Sequence, residues 1–434
     1  MKRETLALLG GPKAFTREEE LKEACRWPRF GDEEKRAMME VLESDDIYGV
    51  IREFEEDFAR YMGTKYVLAH NNGTSSIHAA YFAVGVGPGD EVLTSAYTWH
   101  LQVSQILALH ALPVFVDVNP EDGTIDPEDL ERKITPRTKA IAVVHVFGAV
   151  APMEEIMDVA SRHGIPVVED CSHAHGAEYK GRKVGTIGDV GCFSLQNSKL
   201  MTGIEGGVLV TSNREYYERA VVLGHYERIP ELSDPKLRRF NDRKAGPMAP
   251  SCFGFKYRIH PVAAAVARVQ LGHLDEWNEV RRRNVTYLNE RIGPASDGFV
   301  PPYEAPGTKR TWLNYLWQYF QDKMGDVPRE RFIEALIAEG VPASRGRAGY
   351  LPVYWNPVYE ERASIWGPGY PFEAPYVEVP VEYKRGMCPV AEEMWRRMVG
   401  LPVIHWKVEE DLLDELAEAV VKVVKNVDQL KNWG

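Results

Sequence analysis

The stretch Gly191-Cys-Phe-Ser-Leu-Gln-Asn-Ser-Lys-Leu-Met-Thr-Gly-Ile-Glu-Gly-Gly207 is the part of the sequence that says most about the fold. It begins as an apolar, strand-like run and ends in glycines that precede a second apolar run, residues 208–211. One lysine, Lys199, stands between these two predicted strands. A loop lysine is usually a solvated charge, but it is also a side chain that forms Schiff bases with carbonyl compounds. The surrounding sequence has to distinguish the two interpretations.

The composition is that of an ordinary globular protein. Its 434 residues are 44% hydrophobic and 27% charged, and this length is enough for two domains. The net charge of −12 argues against a nucleic-acid-binding surface. The only apolar patch near the N-terminus, residues 6–9, is too short for a signal peptide or a membrane span, so we expect a cytoplasmic protein without a membrane partner. The five cysteines are scattered and predict neither a disulfide framework nor a zinc site, and no other metal site is predicted.

Strands and helices are predicted to alternate from about residue 65 to residue 223. Apolar, β-branched runs are separated by amphipathic helical patterns, which is typical of a mostly parallel sheet covered on both faces. The predicted fold class is therefore α/β. The predicted strands are residues 66–69, 91–94, 113–117, 140–145, 166–170 and 207–211.

The second half of the chain predicts a smaller α+β domain. A helical pattern runs from residue 261 to about residue 291, and we place the domain boundary near it, with an N-terminal arm and large domain in residues 1–275 and a small domain in residues 276–434. Residues 229–252 are polar, contain four prolines and lack periodicity, which predicts a long excursion or lid. Residues 350–383, rich in proline, tyrosine and tryptophan, are too long for a plain connection and are a candidate substrate-facing element.

A polar turn follows the first predicted strand. Residues 72–75, Asn-Gly-Thr-Ser, stand between a strand end and a helix start. In a parallel sheet this is where ligands bind. A glycine and a helix N-terminus both suit a phosphate group. A simple helix cap by Thr74 or Ser75 is the alternative, and the turn alone favours that alternative.

Two further groups stand at predicted strand ends. Asp170 is followed by His173 and His175, and a carboxylate there suits a protonated pyridine nitrogen. The alternatives are a capping carboxylate and structural histidines. Ser194 suits a phosphate, or is a buried serine bonded to the backbone. Together with Lys199, these groups meet the needs of pyridoxal 5′-phosphate (PLP), namely a phosphate site, a ring-nitrogen partner and an amine.

Short motifs run through nearly the whole chain. They are Leu6-Ala-Leu-Leu-Gly-Gly11, Asn72-Gly-Thr74, Gly89-Asp-Glu-Val92, Tyr97-Thr-Trp99, Val116-Asp117, Glu169-Asp170, His173-Ala-His-Gly176, Phe193-Ser194, Lys199, Glu205-Gly-Gly207, Tyr257-Arg258, Cys388-Pro389, Glu392 and Leu401-Pro402. In this combination the chain resembles the PLP-dependent sugar aminotransferases of the DegT/StrS type, within the aspartate-aminotransferase (fold type I) superfamily. The resemblance implies a large domain with a mostly parallel, seven-stranded sheet and a smaller α+β C-terminal domain.

The resemblance also implies a role for individual residues. Lys199 would bind PLP and move a proton between cofactor and substrate, and Asp170 would pair with the pyridine nitrogen, so these two are the predicted catalytic residues. Trp99 would stack on the ring. The predicted cofactor-binding residues are Gly73, Thr74, Ser75, Trp99, Asp170, His173, Ser194, Lys199 and, from the neighbouring subunit of a homodimer, Lys256.

The sequence departs from the family pattern at three positions. His173 stands where the family often has glutamine, and Lys256 stands where it usually has asparagine. A lysine still binds phosphate, as a point charge. Ile204 replaces the glycine that normally precedes Glu-Gly-Gly, and Gly203 comes before it. A left-handed backbone at this turn would be unfavourable for isoleucine.

The predicted function is a PLP-dependent aminotransferase that moves an amino group from glutamate or glutamine to a keto sugar or keto cyclitol. The N-terminal Leu-Ala-Leu-Leu-Gly-Gly element resembles the cyclitol-type members. Two alternatives share the scaffold: a PLP-dependent sugar dehydratase and a non-catalytic regulator that binds PLP or a sugar. Lys199 argues against the dehydratases, which lack the Schiff-base lysine. The intact set of Asp170, Trp99 and Lys199 argues against the regulator.

Overall fold

The computed structural model describes residues 4–238, 254–344 and 348–431. Its strands are β1 Tyr66–His70, β2 Glu91–Ser95, β3 Leu112–Val116, β4 Thr138–Val144, β5 Val167–Asp170, β6 Glu178–Tyr179, β7 Arg182–Lys183, β8 Val190–Ser194, β9 Gly207–Thr211, β10 Phe299–Val300, β11 Thr308–Lys309, β12 Tyr315–Tyr319, β13 Ala363–Ser364, β14 Gly367–Pro368 and β15 Met398–Leu401. Its α-helices are α1 Glu18–Ala24, α2 Asp32–Glu43, α3 Gly49–Met62, α4 Gly73–Ala83, α5 His100–Ala108, α6 Pro127–Arg132, α7 Met153–His163, α8 Arg214–Gly224, α9 Pro235–Arg238, α10 Pro261–Ile292, α11 Arg329–Ala338, α12 Pro357–Glu360, α13 Pro389–Arg397 and α14 Glu410–Lys425.

A seven-stranded sheet forms the centre of the large domain, in the order β1-β9-β8-β5-β4-β2-β3. The pairings from β8 to β3 are all parallel, and β9 runs antiparallel to both of its neighbours. Adjacent residues of a strand face opposite sides of the sheet. Val92 packs in one hydrophobic cluster with α4 and α5, whereas Leu93 packs in another with α7. Both faces are therefore covered, and the prediction of an α/β fold with a mostly parallel sheet is confirmed.

The long helix α10 crosses the predicted domain boundary. Pro261 starts it, and the His260 ring accepts a hydrogen bond from the Val262 backbone N–H at 3.2 Å, so the helix begins with a favourable cap. It continues without interruption to Ile292. The division between residues 275 and 276 falls inside this helix and stays a prediction. None of the helices within the described ranges is long and apolar enough to span a lipid bilayer.

The N-terminal arm packs on the second, smaller core. Leu6, Phe15 and Leu21 are fully buried in one cluster with side chains of β12, α11 and α14. A three-stranded sheet, β10-β12-β15, lies within this part of the molecule. The predicted lid, residues 229–252, begins with a 3₁₀ turn and α9, and its remainder lies outside the described residues.

The aromatic segment 350–383 lies mainly along the outer edge of the large sheet. The Tyr383 hydroxyl donates to the carbonyl oxygen of Pro113 in β3, the last strand of the sheet, at 2.9 Å. The rings of Tyr359 and Tyr383 contact the ring of Phe115 in the same strand. Covering a sheet edge in this way removes a site where other chains could pair.

Candidate active site

A cavity of about 750 Å³ lies where β1, β5 and β8 reach their carboxyl ends. This is the position at which parallel α/β sheets bind ligands. Its walls come mainly from the loops that follow these strands. The lining residues are Asn72, Gly73, Thr74, Ser75, Ile77, Trp99, Leu101, Gln102, Asp170, Ser172, His173, Ser194, Gln196, Ser198, Lys199, Glu205 and Tyr350.

The cavity brings together most of the residues predicted to hold a cofactor. Eight of the nine line it, namely Gly73, Thr74, Ser75, Trp99, Asp170, His173, Ser194 and Lys199. The ninth, Lys256, is exposed and does not line the cavity of its own chain. The individual roles of all nine residues stay predictions.

Close packing of α4 against β8 forms one wall of the cavity. Asn72 caps α4, since its side-chain oxygen accepts from the Ser75 backbone N–H at 2.8 Å and from the Ser75 hydroxyl at 3.0 Å. Neither Thr74 nor Ser75 is the cap residue. Gly73 lies so close to Ser194 that a β-carbon on it would come within 2.6 Å of the Ser194 Cβ. The N-terminus of α4 therefore meets the end of β8, and this close approach requires glycine.

The substitution Gly73→Ala tests whether the close packing of α4 against β8 is needed for PLP binding. We expect Gly73→Ala to push α4 from Ser194, lower the free energy of unfolding by about 1–3 kcal/mol and weaken PLP affinity by about 10-fold, or about 1.4 kcal/mol. The control is Gly272→Ala in α10, where an added β-carbon meets no atom within 4 Å and should stabilise the helix by about 0.5–1 kcal/mol. Cofactor titration and denaturant unfolding measure both effects. Unchanged PLP affinity in Gly73→Ala would exclude Gly73 from the phosphate site.

Asp170 is a buried carboxylate that makes no salt bridge within the described part of the chain. One of its oxygens accepts the Ser172 backbone N–H at 3.0 Å. Burial raises the pKa of Asp170 above its ordinary value, while the hydrogen bonds of Ser172 and the charge of Lys199 oppose part of this shift. A cation placed against the carboxylate would offset the cost of burying its charge. A protonated pyridine nitrogen is such a cation, so Asp170 fits the ring of PLP.

Lys199 supplies the amine that the same cofactor requires. Its side chain is half-buried, and its Nζ has no hydrogen bond or ion pair to any residue that the structure describes. Burial lowers the pKa of Lys199, and the nearby Asp170 carboxylate counteracts part of this shift. A lowered pKa increases the fraction of neutral amine, which is the form that attacks a carbonyl. The residues at both ends of the cavity, Ser194 with Gly73 and Lys199 with Asp170, therefore fit PLP.

His173 and Tyr350 form a hydrogen-bonded pair on the cavity wall. Burial and the charge of Lys199 hold the pKa of His173 well below its usual range, so its ring is neutral. Its Nδ1 accepts the Phe147 backbone N–H at 3.2 Å, which assigns the ring proton to Nε2. Nε2 lies 3.2 Å from the Tyr350 hydroxyl oxygen and donates to it. The Tyr350 hydroxyl proton is then free to point into the cavity.

Sequence reasoning did not single out Tyr350. Its one signal was membership of the aromatic segment 350–383, which we predicted to face the substrate. Tyr350 is the residue of that segment that lines the cavity. Its ring centroid lies 5.9 Å from that of Trp99, which is 48% exposed, so the two rings form an aromatic corner at the cavity mouth.

Glu169, next to Asp170, is held by hydrogen bonds within the protein and does not line the cavity. Its carboxylate accepts three backbone N–H groups between residues 185 and 188, at 2.6–2.8 Å, and the His145 Nε2–H at 3.1 Å. Glu169, His145 and Cys171 are close enough to hold a metal ion. The Glu169 oxygens and both nitrogens of His145 already have hydrogen-bond partners in the protein. We therefore assign this cluster to fixing the loop beside β5.

The turn before Glu205 adopts the left-handed conformation on Ile204, with φ of 72°. This is the position at which the family pattern has glycine. The side chain is 45% exposed, and the Thr202 hydroxyl accepts the Ile204 backbone N–H at 2.8 Å. Such a conformation costs a non-glycine residue about 1–2 kcal/mol. Ile204 thus adopts the left-handed conformation that glycine takes easily, at some cost in stability.

Buried neutral histidines make the fold sensitive to acid. Burial lowers the pKa of His175 to about 3 and that of His405 to about 2. Unfolded histidines titrate near pH 6.5. Below that pH the unfolded chain binds more protons than the native state, so the free energy of unfolding decreases as the pH is lowered. Each such histidine should lower the free energy of unfolding by about 1.4 kcal/mol per pH unit. We expect the free energy of unfolding, measured with urea between about pH 6 and about pH 5, to change less with pH in His405→Gln. The slope against pH should be smaller than that of the unmodified protein by the same amount.

The control for this prediction is His163→Gln, which replaces an exposed histidine at the end of α7. An equal pH slope in His405→Gln and the unmodified protein would contradict a neutral, buried His405.

Comparisons with known proteins agree with this geometry. The model of the DegT/DnrJ/EryC1/StrS aminotransferase family matches residues 28–367. L-glutamine:2-deoxy-scyllo-inosose aminotransferase from Streptoalloteichus tenebrarius is 36% identical over 88% of this chain and 87% of its own. L-glutamine:scyllo-inosose aminotransferase from Streptomyces griseus is 34% identical over 98% of this chain and 99% of its own. The crystal structure of 3-amino-5-hydroxybenzoic acid (AHBA) synthase superposes with a TM-score of 0.74 at 29% identity, covering 92% of this chain and 98% of that one.

Proposed function

This chain belongs to the DegT/DnrJ/EryC1/StrS aminotransferase family and is a PLP-dependent aminotransferase, and we propose that it transfers the amino group of L-glutamine to a keto cyclitol. Relatives that match over most of the chain carry names with this donor and with inososes as acceptors. The resemblance of residues 6–11 to cyclitol-type members agrees with this choice.

The charge of the cavity is the observation that carries the proposal. Within the described part of the chain, Lys199 is the one cationic residue of the lining, and Glu205 adds an exposed carboxylate at the rim. A nucleotide-linked sugar brings a diphosphate that requires cationic or N–H partners. An uncharged polyol requires hydrogen-bond donors and acceptors instead. The lining therefore suits a keto cyclitol better than a nucleotide-linked keto sugar.

Neutral polar groups are placed to bind such a ring. The Ser198 hydroxyl donates to the Gln196 side-chain oxygen at 2.7 Å, which leaves the Gln196 amide N–H groups available. The Tyr350 hydroxyl proton is free because His173 donates to its oxygen. We assign the hydroxyl groups of the acceptor to Gln196, Tyr350 and the Glu205 carboxylate, with the exposed face of Trp99 beside the ring.

The chemistry divides between cofactor and protein. When bound, PLP supplies a carbonyl group for amines and an electron-withdrawing ring. The Asp170 carboxylate keeps the ring nitrogen protonated. The Lys199 Nζ, as a neutral amine, would take the proton from the substrate carbon that bears the amino group and return it to the former carbonyl carbon of the cofactor, on the other side of the amino nitrogen. Thr74 and Ser194 would hold the phosphate at the N-terminus of α4, whereas the backbone N–H and the hydroxyl of Ser75 already donate to the Asn72 side chain.

We also propose a homodimer with each site at the subunit interface. Four apolar side chains are exposed in this region. Met39 and Leu42 lie on α2, and Ile47 and Tyr48 lie just before α3. The Arg258 guanidinium lies 4.5 Å from the centre of the Tyr48 ring. Exposed apolar side chains close together in the sequence are typical of an interface, and Tyr48 lies beside the segment that carries Lys256. A cytoplasmic location is part of the same proposal.

Product analysis tests the function. The purified protein, loaded with PLP, is incubated with L-glutamine or L-glutamate and with scyllo-inosose or a nucleotide-linked keto hexose, and amino products are identified by mass spectrometry. We expect the amino cyclitol, formed with glutamine as the better donor. Amination of the nucleotide-linked sugar alone would overturn the acceptor assignment. Amination of neither ketone would leave the family's reaction in place and exclude both acceptors.

A further inference from the structure

The N-terminal arm makes a direct hydrogen bond to the main chain of Lys199. The indole Nε1–H of Trp27, between α1 and α2, donates to the Lys199 carbonyl oxygen at 2.8 Å. The two residues are 172 positions apart in the sequence. Among the described residues, this bond is the one that the Lys199 carbonyl receives, so the arm provides a restraint that the lysine loop itself does not.

The Trp27 ring is held firmly enough to act as such a restraint. His405 stacks on it, with ring centroids 5.0 Å apart, and Trp277 meets it edge-on at 5.1 Å. The guanidinium of Arg281, a fully buried residue, lies 4.3 Å from the ring centre. Arg281 is itself fixed, because its Nε donates to His405 Nδ1 at 2.9 Å. The ring is thus packed against an aromatic and cationic cluster.

The arm is also attached to the small domain by the residues just before Trp27. The His405 backbone N–H donates to the Ala24 carbonyl oxygen at 3.0 Å, and the Trp406 indole N–H donates to that of Arg26 at 3.1 Å. These bonds fix the main chain that carries Trp27. The position of its N–H group is therefore set by the packing of the arm and the small domain.

The lysine loop has few other restraints on the side that precedes Lys199, whereas Leu200, which follows it, is fully buried in a hydrophobic cluster. Asn197 and Ser198 are exposed. The Lys199 backbone N–H donates to the carbonyl oxygen of Gln196 at 2.9 Å, which closes a local turn without anchoring it to the rest of the protein. A shift of this turn moves the amine relative to Asp170, and a displacement of about 1 Å can lower a reaction rate by about 10²-fold.

We propose that Trp27 is a positioning residue, whose indole N–H fixes the Lys199 main chain so that the amine stays in place within the cavity. This inference rests on the proposed role of Lys199. Trp27 contacts no substrate, and it acts through the lysine. Its removal should therefore change the properties of the lysine and the cofactor more than it changes the stability of the fold.

The test compares two Trp→Phe variants of the full-length, PLP-loaded protein. Trp27→Phe removes the N–H bond to Lys199 and keeps an aromatic ring, whereas Trp355→Phe removes an indole N–H bond to the Glu392 carboxylate, at 3.3 Å, from a residue that does not line the cavity. We expect Trp27→Phe to lower the rate of the half-reaction with glutamine by about 10-fold or more and to shift the pH midpoint of the cofactor's visible absorption band. In Trp355→Phe the rate should stay within about twofold of that of the unmodified protein and the midpoint of the band should not shift, while the change in unfolding temperature should be similar to that of Trp27→Phe.

A second variant keeps the test decisive if Trp27→Phe folds poorly. A benzothienylalanine at position 27 retains the size of the indole ring and removes only its N–H group, so the same two effects are expected. Equal band midpoints and rates in the Trp27 variants and in Trp355→Phe would overturn the positioning role. An unmodified protein without any cofactor band would instead refute the Lys199 assignment on which the inference rests.

Discussion

Lys199→Ala should abolish amino transfer, with a loss of more than about 10³-fold in kcat, while the protein remains folded. Lys199 is the one amine in the cavity lining of the described chain, and burial lowers its pKa, which favours the reactive neutral form. No other side chain of the lining combines attachment of PLP with transfer of a proton. Product formation from glutamine and the acceptor, together with circular dichroism, measures the two parts of this expectation.

The control for Lys199 is another partly buried lysine outside the cavity. The Lys183 ammonium lies 4.1 Å from the centre of the Tyr61 ring, and Lys183→Ala should keep near-normal turnover. Retained transamination in Lys199→Ala would refute the catalytic assignment. A loss of secondary structure in that variant would show that the Lys199 side chain stabilises the fold, although it makes no hydrogen bond or ion pair to the described residues.

Asp170→Ala should weaken PLP binding and lower kcat by about 10²-fold or more. Its carboxylate is buried, and burial raises its pKa, so it has much to gain from a cation in the cavity. Without it the ring nitrogen of the cofactor loses its proton and the ring withdraws electrons less strongly. The dissociation constant for PLP, measured by titration of the cofactor-free protein, and the steady-state rate with saturating PLP separate the two effects.

A second carboxylate at a strand end serves as the matched control. Asp117 follows β3, and its oxygens accept the backbone N–H groups of Val390 and Ala391 at 3.0 and 2.8 Å. Asp117→Ala should therefore lower stability, by about 1–3 kcal/mol, and leave PLP affinity nearly unchanged. Near-normal rates in Asp170→Ala would contradict its pairing with the pyridine nitrogen.

The large sheet was predictable because its strands are buried on both faces. Buried parallel strands contain nearly continuous apolar runs rich in valine, isoleucine and leucine, as at the end of β4, and such runs are visible without a structure. Asp170 and Ser194 end two of these strands, so their place at one edge of the sheet follows from the strand pattern. Lys199 follows from the same reasoning, since it stands in the connection after β8.

Other parts of the site depend on contacts between residues far apart in the sequence. Tyr350 reaches the cavity from the small domain, and Trp27 reaches Lys199 from the arm. Neither contact leaves a periodic or spacing signal. Gly73 and Ser194 are 121 positions apart in the sequence. Their contact becomes visible only in the folded structure.

At two further positions the local sequence allows more than one conformation, so the sequence alone does not predict which one is adopted. Asn72, Thr74 and Ser75 can all cap a helix, and the extended backbone of Asn72 decides in its favour. Ile204 adopts the left-handed conformation that its side chain disfavours, because the turn between Lys199 and β9 fixes the backbone. In both cases the surrounding structure selects one of several conformations that the local sequence allows.

The absorption spectrum of the purified, PLP-loaded protein tests the central claim most directly. We expect a visible band that depends on Lys199, and its bleaching when L-glutamine is added in the absence of any ketone. That result would establish the donor half of the reaction at this site. A protein that stays colourless after PLP is added, or a band that L-glutamine leaves unchanged while L-glutamate bleaches it, would contradict the proposed use of Lys199 or of glutamine, respectively.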